Sequence, residues 1–230
     1  QELTLQREPV FHWDSLNDFD GSLFSWTREG RAEAIDSIFS TSRAGVEGRL
    51  IMTEFQNLSD EVIELTHPTV GAIRLNPCPA ARALPGVKAS ATASAVIQRA
   101  QARRAAERFS GTMYSAQEDW AFRLLPRPLL EFVEQRPDQT LRSRSLFAYV
   151  CLLTDPEAFV MIDCEQTANG PVWVYRPLRF SNKRLLLRLD DELVWDSPAV
   201  AASGDSADGY RFVRGVQVMT LDQLDPEAPP

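Results

Sequence analysis

Alternation of apolar and polar side chains, the two-residue period of a half-buried strand, dominates this chain. Gly21 to Arg28 and Arg31 to Ser40 flank Glu29-Gly30, a dipeptide whose glycine accepts the positive φ of a tight turn, and together they predict a hairpin. Gly48 to Asn57 predicts a further strand. His67-Pro68 and Asn76-Pro77-Cys78-Pro79 read as a connector, because each proline removes a donor and restricts the residue before it. Alanine-rich Ala91 to Phe109 predicts the one long helix, with Ser90 to cap it and Ser110-Gly111 to stop it. Its thin apolar stripe, Ala95, Ala102 and Phe109 with Ala105 and Ala106 nearby, suits a helix lying on a sheet.

The sheet resumes at Trp120 to Leu125, where Pro126 and Pro128 mark an edge or a bulge. A meander follows over Leu146 to Thr154, Glu157 to Thr167, Pro171 to Phe180, Lys183 to Leu189 and Glu192 to Trp195, punctuated by Asp155-Pro156, Asn169-Gly170, Ser181-Asn182 and Asp190-Asp191. Phe159-Val160-Met161-Ile162 is apolar on both faces, as a central strand must be. Tyr210 to Met219 predicts a last strand and residues 221–230 a loose tail. The expected fold is α+β and mostly antiparallel β, a curved sheet or incomplete barrel of about ten strands with one long helix.

Two stretches of this pattern lie over each other. Ser22-Leu23-Phe24-Ser25-Trp26 matches Ser145-Leu146-Phe147-Ala148-Tyr149, Glu33-Ala34 matches Glu157-Ala158, and Phe55 and Asn57 match Phe180 and Asn182. Residues 1–220 are expected to form a single β-rich domain, and the matches fit either two related β halves over about 22–75 and 145–196, joined by the helix, or a chance resemblance of two amphipathic hairpins.

Composition narrows the partners. Among 230 residues, 24 basic and 32 acidic side chains leave a net charge of −8, which argues against nucleic acid. No apolar run approaches the roughly 20 residues of a membrane-spanning helix. Cys78, Cys151 and Cys164 leave an odd thiol under any pairing, so no disulfide framework is described. No cofactor motif is present.

Candidate chemistry is sparse. His12, in His12-Trp13-Asp14, is the better placed of two histidines for a general base, although no Gly-x-Ser-x-Gly elbow supplies a serine. Gly204-Asp205-Ser206-Ala207 resembles the nucleophile block of GDSL-type hydrolases, but no histidine follows it. Asp163 and Glu165 share one strand face and form a candidate acid/base pair; hairpin counting across Asn169-Gly170 offers Asp163 a duller partner, Arg176. Asp18, Asp20, Ser22 and Glu29 fall at EF-hand-like places, with Leu23 where the loop needs glycine. Arg99, Arg103, Arg104 and Arg108 give the helix a positive patch for a phosphate, an acidic glycan or an acidic partner. Five tryptophans, Trp13, Trp26, Trp120, Trp173 and Trp195, are either packing or sugar platforms.

Trp26-Thr27 with Gly30-Arg31-Ala32-Glu33, Glu54-Phe55 with Leu58-Ser59, Leu124-Leu125-Pro126, and Thr154-Asp155-Pro156-Glu157 before Trp173-Val174-Tyr175 form a pattern over residues 8–196. This pattern resembles a family of uncharacterised bacterial proteins that look exported. The resemblance implies an exported protein, periplasmic or extracellular, with its signal peptide removed; it carries no catalytic residues. The expected function is a non-catalytic binding or scaffold protein for an apolar small molecule, a glycan or a partner protein. The alternatives are a hydrolase using the carboxylate pair or His12, and a structural assembly subunit.

Overall fold

A computed structural model describes residues 2–16, 18–42, 48–90, 93–116, 118–135, 141–201, 207–213 and 218–219. These residues form an α+β fold, mostly antiparallel β, in several sheets with no closed barrel. Two compact units divide the chain: Gln1–Pro77 with Leu152–Asp155 and Ala201–Pro230, and Cys78–Cys151 with Pro156–Val200.

In the first unit β1 (Thr4–Leu5) and β2 (Phe11–Ser15) lie end to end along β3 (Phe19–Arg28). The sheet continues antiparallel through β4 (Arg31–Ser42) and β5 (Arg49–Asn57). Glu29 and Gly30 both take positive φ, 53° and 78°, so the predicted hairpin closes in a two-residue turn between Arg28 and Arg31. β6 (Ile63–His67) and β7 (Gly71–Leu75) form a separate hairpin where the prolines had suggested a connector. Pro68 sits in its turn, outside the ladder, and so costs no strand hydrogen bond.

The second unit opens with β8 (Arg82–Ala83), α1 (Ala95–Ala106), β9 (Phe109–Tyr114) and β10 (Asp119–Ala121). β11 (Arg123–Leu124) and β12 (Leu130–Gln135) then lie end to end along β13 (Leu141–Val150), repeating the order of β1 and β2 along β3. β14 (Pro156–Thr167) and β15 (Gly170–Arg179) complete a meander, and β16 (Arg184–Leu189) and β17 (Glu192–Ser197) a hairpin. Pro156 to Cys164 are all buried, as expected for a strand with neighbours on both edges. The chain returns to the first unit, where β18 (Tyr210–Val213) and β19 (Val218–Met219) pair β5. The predicted tail, residues 221–230, lies outside the described residues.

The helix is shorter than its alanine content suggests, with Ser94 rather than Ser90 as its cap: the Ser94 hydroxyl accepts from Ile97 N–H at 3.4 Å. It ends at Ala106 because Phe109 leaves the helix to enter the core as the first residue of β9. Strand segments outnumber the expected ten because edge strands are broken into pieces of two to six residues.

Two registers differ from hairpin counting. Counting across Asp155-Pro156 pairs Leu153 with Ala158, but Leu153, at φ 49°, falls in a loop and Tyr149 pairs Ala158 instead. Ala168-Asn169, not Asn169-Gly170, forms the next turn, with the Thr167 hydroxyl donating to Gly170 O at 2.7 Å. Both slips are even, so each side chain keeps its predicted face.

Local details recur in both meanders. The ladder shifts between Trp26 and Thr27 in one and between Tyr149 and Val150 in the other. Leu58 N–H donates to Glu33 O and Phe180 N–H to Glu157 O, each at 2.8 Å. Asn57 Nδ2 donates to Glu61 O and Asn76 O at 2.7 and 2.8 Å, bracketing the β6–β7 hairpin; Arg179 Nη2 reaches Lys183 O and Pro198 O at 3.3 and 2.6 Å, bracketing β16–β17. These bonds align Asn57 with Arg179 and Leu58 with Phe180, a different third match from the one the sequence suggests. Both latch residues are almost fully buried, so truncating one removes its hydrogen bonds and its packing together. Asn57→Ala should lower stability by about 2–4 kcal/mol in urea unfolding, and a loss under about 0.5 kcal/mol would contradict the latch.

Candidate functional site

In the first unit the β6–β7 hairpin stands over one face of the β3–β4–β5 sheet and leaves a cleft of about 710 Å³ between them. Strand alternation decides the lining: Trp26, Ala34, Asp36, Ile38, Ile51, Thr53 and Phe55 point in from the sheet, and Ile63, Leu65 and His67 from the hairpin. Ile38 and Val62 are 45% and 38% exposed, large apolar side chains left facing the cleft. Volume and apolar lining match a ligand site, with a few polar groups among them.

Those polar groups are unusual. Asp36 is 5% exposed on the apolar face of β4, and its Oδ1 accepts from Trp26 Nε1–H at 3.1 Å. Burial pushes its carboxyl up to about 6, outweighing the Trp26 hydrogen bond, which pulls it down. His67 Nδ1 accepts from Thr69 N–H at 3.2 Å, which places its proton on Nε2, the atom 3.2 Å from Thr53 Oγ1. Its ring meets Phe55 edge-on, with centroids 6.3 Å apart, and burial holds its pKa below the usual imidazole range. At the rim Arg28 pairs Glu61 at 2.9 Å. Among the described residues no hydrogen bond joins Asp36 to His67, so these two groups form no proton relay.

The residues singled out from the sequence lie elsewhere. Asp163 is buried against Arg144, which grips both its oxygens at 2.9 and 3.1 Å, and against Arg176. Glu165 takes the other Arg176 nitrogen at 3.1 Å. Arg144 sits directly across from Asp163 and Arg176 diagonally, so the carboxylate pair is tied into a salt-bridge network. Arg99 pairs Glu131 at 3.5 Å, Arg103 pairs Glu107 at 2.9 Å and bonds Leu125 O, and Arg108 clasps Asp190; Arg104 is exposed. Asp18 bonds Ser42 and Arg49 at one end of β3, Asp20 lies within it, and Glu29 is in the turn at the far end. An extended strand advances roughly 3.3 Å per residue, so these carboxylates cannot close on one ion. Among the described residues no group of three or more His, Cys, Asp or Glu could hold a metal. The three cysteines form no disulfide, and burial pushes Cys164 up to about 11. The Gly204-Asp205-Ser206 part of the GDSL-like block lies outside the described residues.

His12 does find a serine and a carboxylate, though not Asp14. Its Nδ1 lies 3.0 Å from Ser22 Oγ and its Nε2 3.3 Å from Asp20 Oδ2, on a surface where His12 is 65% exposed. Asp14 instead accepts from Thr154 Oγ1 at 2.8 Å. Of the tryptophans, Trp26 lines the cleft, Trp13 donates to Ser37 within the core, Trp120 packs against the second unit's core, and Trp173 and Trp195 belong to it.

Sequence reading missed Asp36 and Thr53, and it ranked His67 below His12. One signal was available for Asp36, a charge on the inward beat of Ala34-Asp36-Ile38.

Because native Asp36 holds its proton up to about pH 6 and the unfolded chain releases it near 3.8, the native state binds the extra proton between these values. Stability should therefore fall as pH rises from about 4 to 6, by up to about 3 kcal/mol, and stay lower above that. Asp36→Asn should abolish that portion of the slope in urea titrations at each pH; an unchanged slope would contradict the assignment. No protein-family model, curated protein or solved structure matches this chain.

Proposed function

We propose that this chain is a non-catalytic binding protein that takes its ligand in the cleft of the first unit. The observation that carries the reading is the pairing of exposed Ile38 with buried Asp36 on one open face. Leaving that face uncovered costs hydrophobic burial, and ionising Asp36 there costs stability near neutral pH, a combination typical of surfaces shaped for a ligand. An apolar ligand carrying a cation or a hydrogen-bond donor satisfies both features.

Two companion proposals complete the reading. Descent of the meanders from one duplicated unit is supported by the shared strand order, ladder shifts and latch bonds. Export is supported by the resemblance over residues 8–196 alone.

A specific observation favours hydrolysis as the second reading. With Nε2–H turned to Asp20, His12 Nδ1 is free to accept from the Ser22 hydroxyl, and Ser22 sits across the ladder from Ile38 at the cleft. Against it, the three groups lie on an exposed strand rather than at a strained elbow. A fluorophosphonate probe should leave Ser22 unlabelled. Labelling that is lost on His12→Gln would move the function to the hydrolase.

The binding reading is tested with Nile red, an uncharged apolar dye. Saturable fluorescence enhancement is expected, weakened at least about tenfold by Ile38→Arg, a change at an exposed position that leaves folding intact. Dye binding indifferent to Ile38→Arg would overturn the cleft as the ligand site.

A further inference from the structure

We infer that the cleft docks a helix-then-strand segment of a partner polypeptide, with small side chains on its buried helix face and a basic side chain over Asp36. The inference rests on the binding reading above and names the occupant.

The second unit provides the template, because it contains the same groove already filled. The ladder shifts and the latch bonds align the two grooves position by position: Trp26 with Tyr149, Asp36 with Val160, Ile38 with Ile162, Thr53 with Tyr175, Leu65 with Leu187 and His67 with Leu189. Ile162 is fully buried, whereas Ile38 is 45% exposed on an equivalent rung of an equivalent sheet. Tyr149, Leu187 and Leu189 are buried, whereas Trp26, Leu65 and His67 are half-buried.

One continuous segment accounts for the difference. Ala102, Ala105 and Ala106 of α1, with Phe109 and Met113 of β9, pack into the second unit's groove, and Tyr149 O–H donates to Ala106 O at 2.7 Å. Alanines let the helix backbone approach the sheet closely. β9 then adds to the edge of β16, from Phe109 opposite Leu189 to Tyr114 opposite Arg184. In the first unit β6 occupies the place of β16 and, among the described strands, pairs only β7. Its outer edge is thus open to strand addition at the place where β9 sits in the second unit.

Charge selects the occupant's chemistry. The cleft is lined by Glu2, Asp36, Glu61 and Glu64 against the single guanidinium of Arg28, which Glu61 already pairs; Glu64 has a surface partner in Arg74. Asp36 stands where Val160 underlies α1, so the incoming helix must bring it a cation or a donor. Residues 220–230 carry Asp222, Asp225 and Glu227 and no base, the wrong sign for this cleft. A small apolar molecule would leave the β6 edge unused.

The probe is a synthetic peptide spanning Ser94–Tyr114, titrated into the intact protein by fluorescence anisotropy with hydrogen exchange as the second readout. Saturable binding is expected, with protection of the β6 amides, a loss of at least about tenfold on Ile38→Glu, and a gain of about tenfold on Asp36→Val, which recreates the second unit's lining. Absence of saturable binding to both wild type and Asp36→Val up to about 1 mM overturns the inference, as does binding that leaves β6 exchanging freely. Nile red binding sensitive to Ile38→Arg, without peptide binding, would leave a small-molecule cleft and sink only this inference. Loss of both would sink the binding reading as well.

Discussion

The β6–β7 and β16–β17 hairpins are each anchored to their sheet by one buried side chain. Asn57 in the first unit and Arg179 in the second stand at the end of the third meander strand and bond carbonyls just before and just after the hairpin that follows. Each of these bonds satisfies a carbonyl at a hairpin boundary, and a hydrogen bond of this kind contributes about 1 kcal/mol. A single amide or guanidinium meeting two such carbonyls fixes where the hairpin leaves the sheet and where it returns. The groove between hairpin and sheet exists because of that geometry.

A sheet face must then be covered, and the two units meet that requirement differently. The second unit spends Ala95–Tyr114 on it and gains a continuous core that includes Phe147, Val160, Ile162, Tyr175 and Leu187. The first unit covers part of the matching face with Ile63, Ile73 and Leu75 of its hairpin and leaves the rest as a cleft holding a carboxylate. Val160 and Asp36 mark the divergence in a single pair. One suits a permanent apolar cover; the other raises the cost of any cover that brings no positive charge.

Much of the fold was legible in the sequence where alternation and turn chemistry coincide. Asn169, Gly170 and the prolines placed the meander strands to within a few residues, and the doubly apolar Phe159 to Ile162 marked the central strand. Registers were less legible, since turn length decides them: Leu153 entering a left-handed loop moved one pairing and Ala168-Asn169 another. The hairpin over the cleft was hidden by Pro68, whose meaning depends on whether it falls in a ladder or a turn. The candidate site was the least legible part. Asp163, Glu165 and the helix arginines attract notice as charges, yet tertiary partners neutralise most of them. Asp36 and His67 gain their character only from burial against strands distant in sequence.

Ile38 and Ile162 occupy matching rungs of the two sheets and differ in cover. Single cysteines placed at Ile38 and at Ile162, in a background with the three native thiols replaced, report this directly through their rate of reaction with a maleimide in the native protein. The thiol at position 38 should react within a few tens-fold of a free thiol and the one at 162 only through unfolding, slower by about three orders of magnitude or more. Equal protection at both positions would mean that the first unit's face is covered and that the cleft is no docking site.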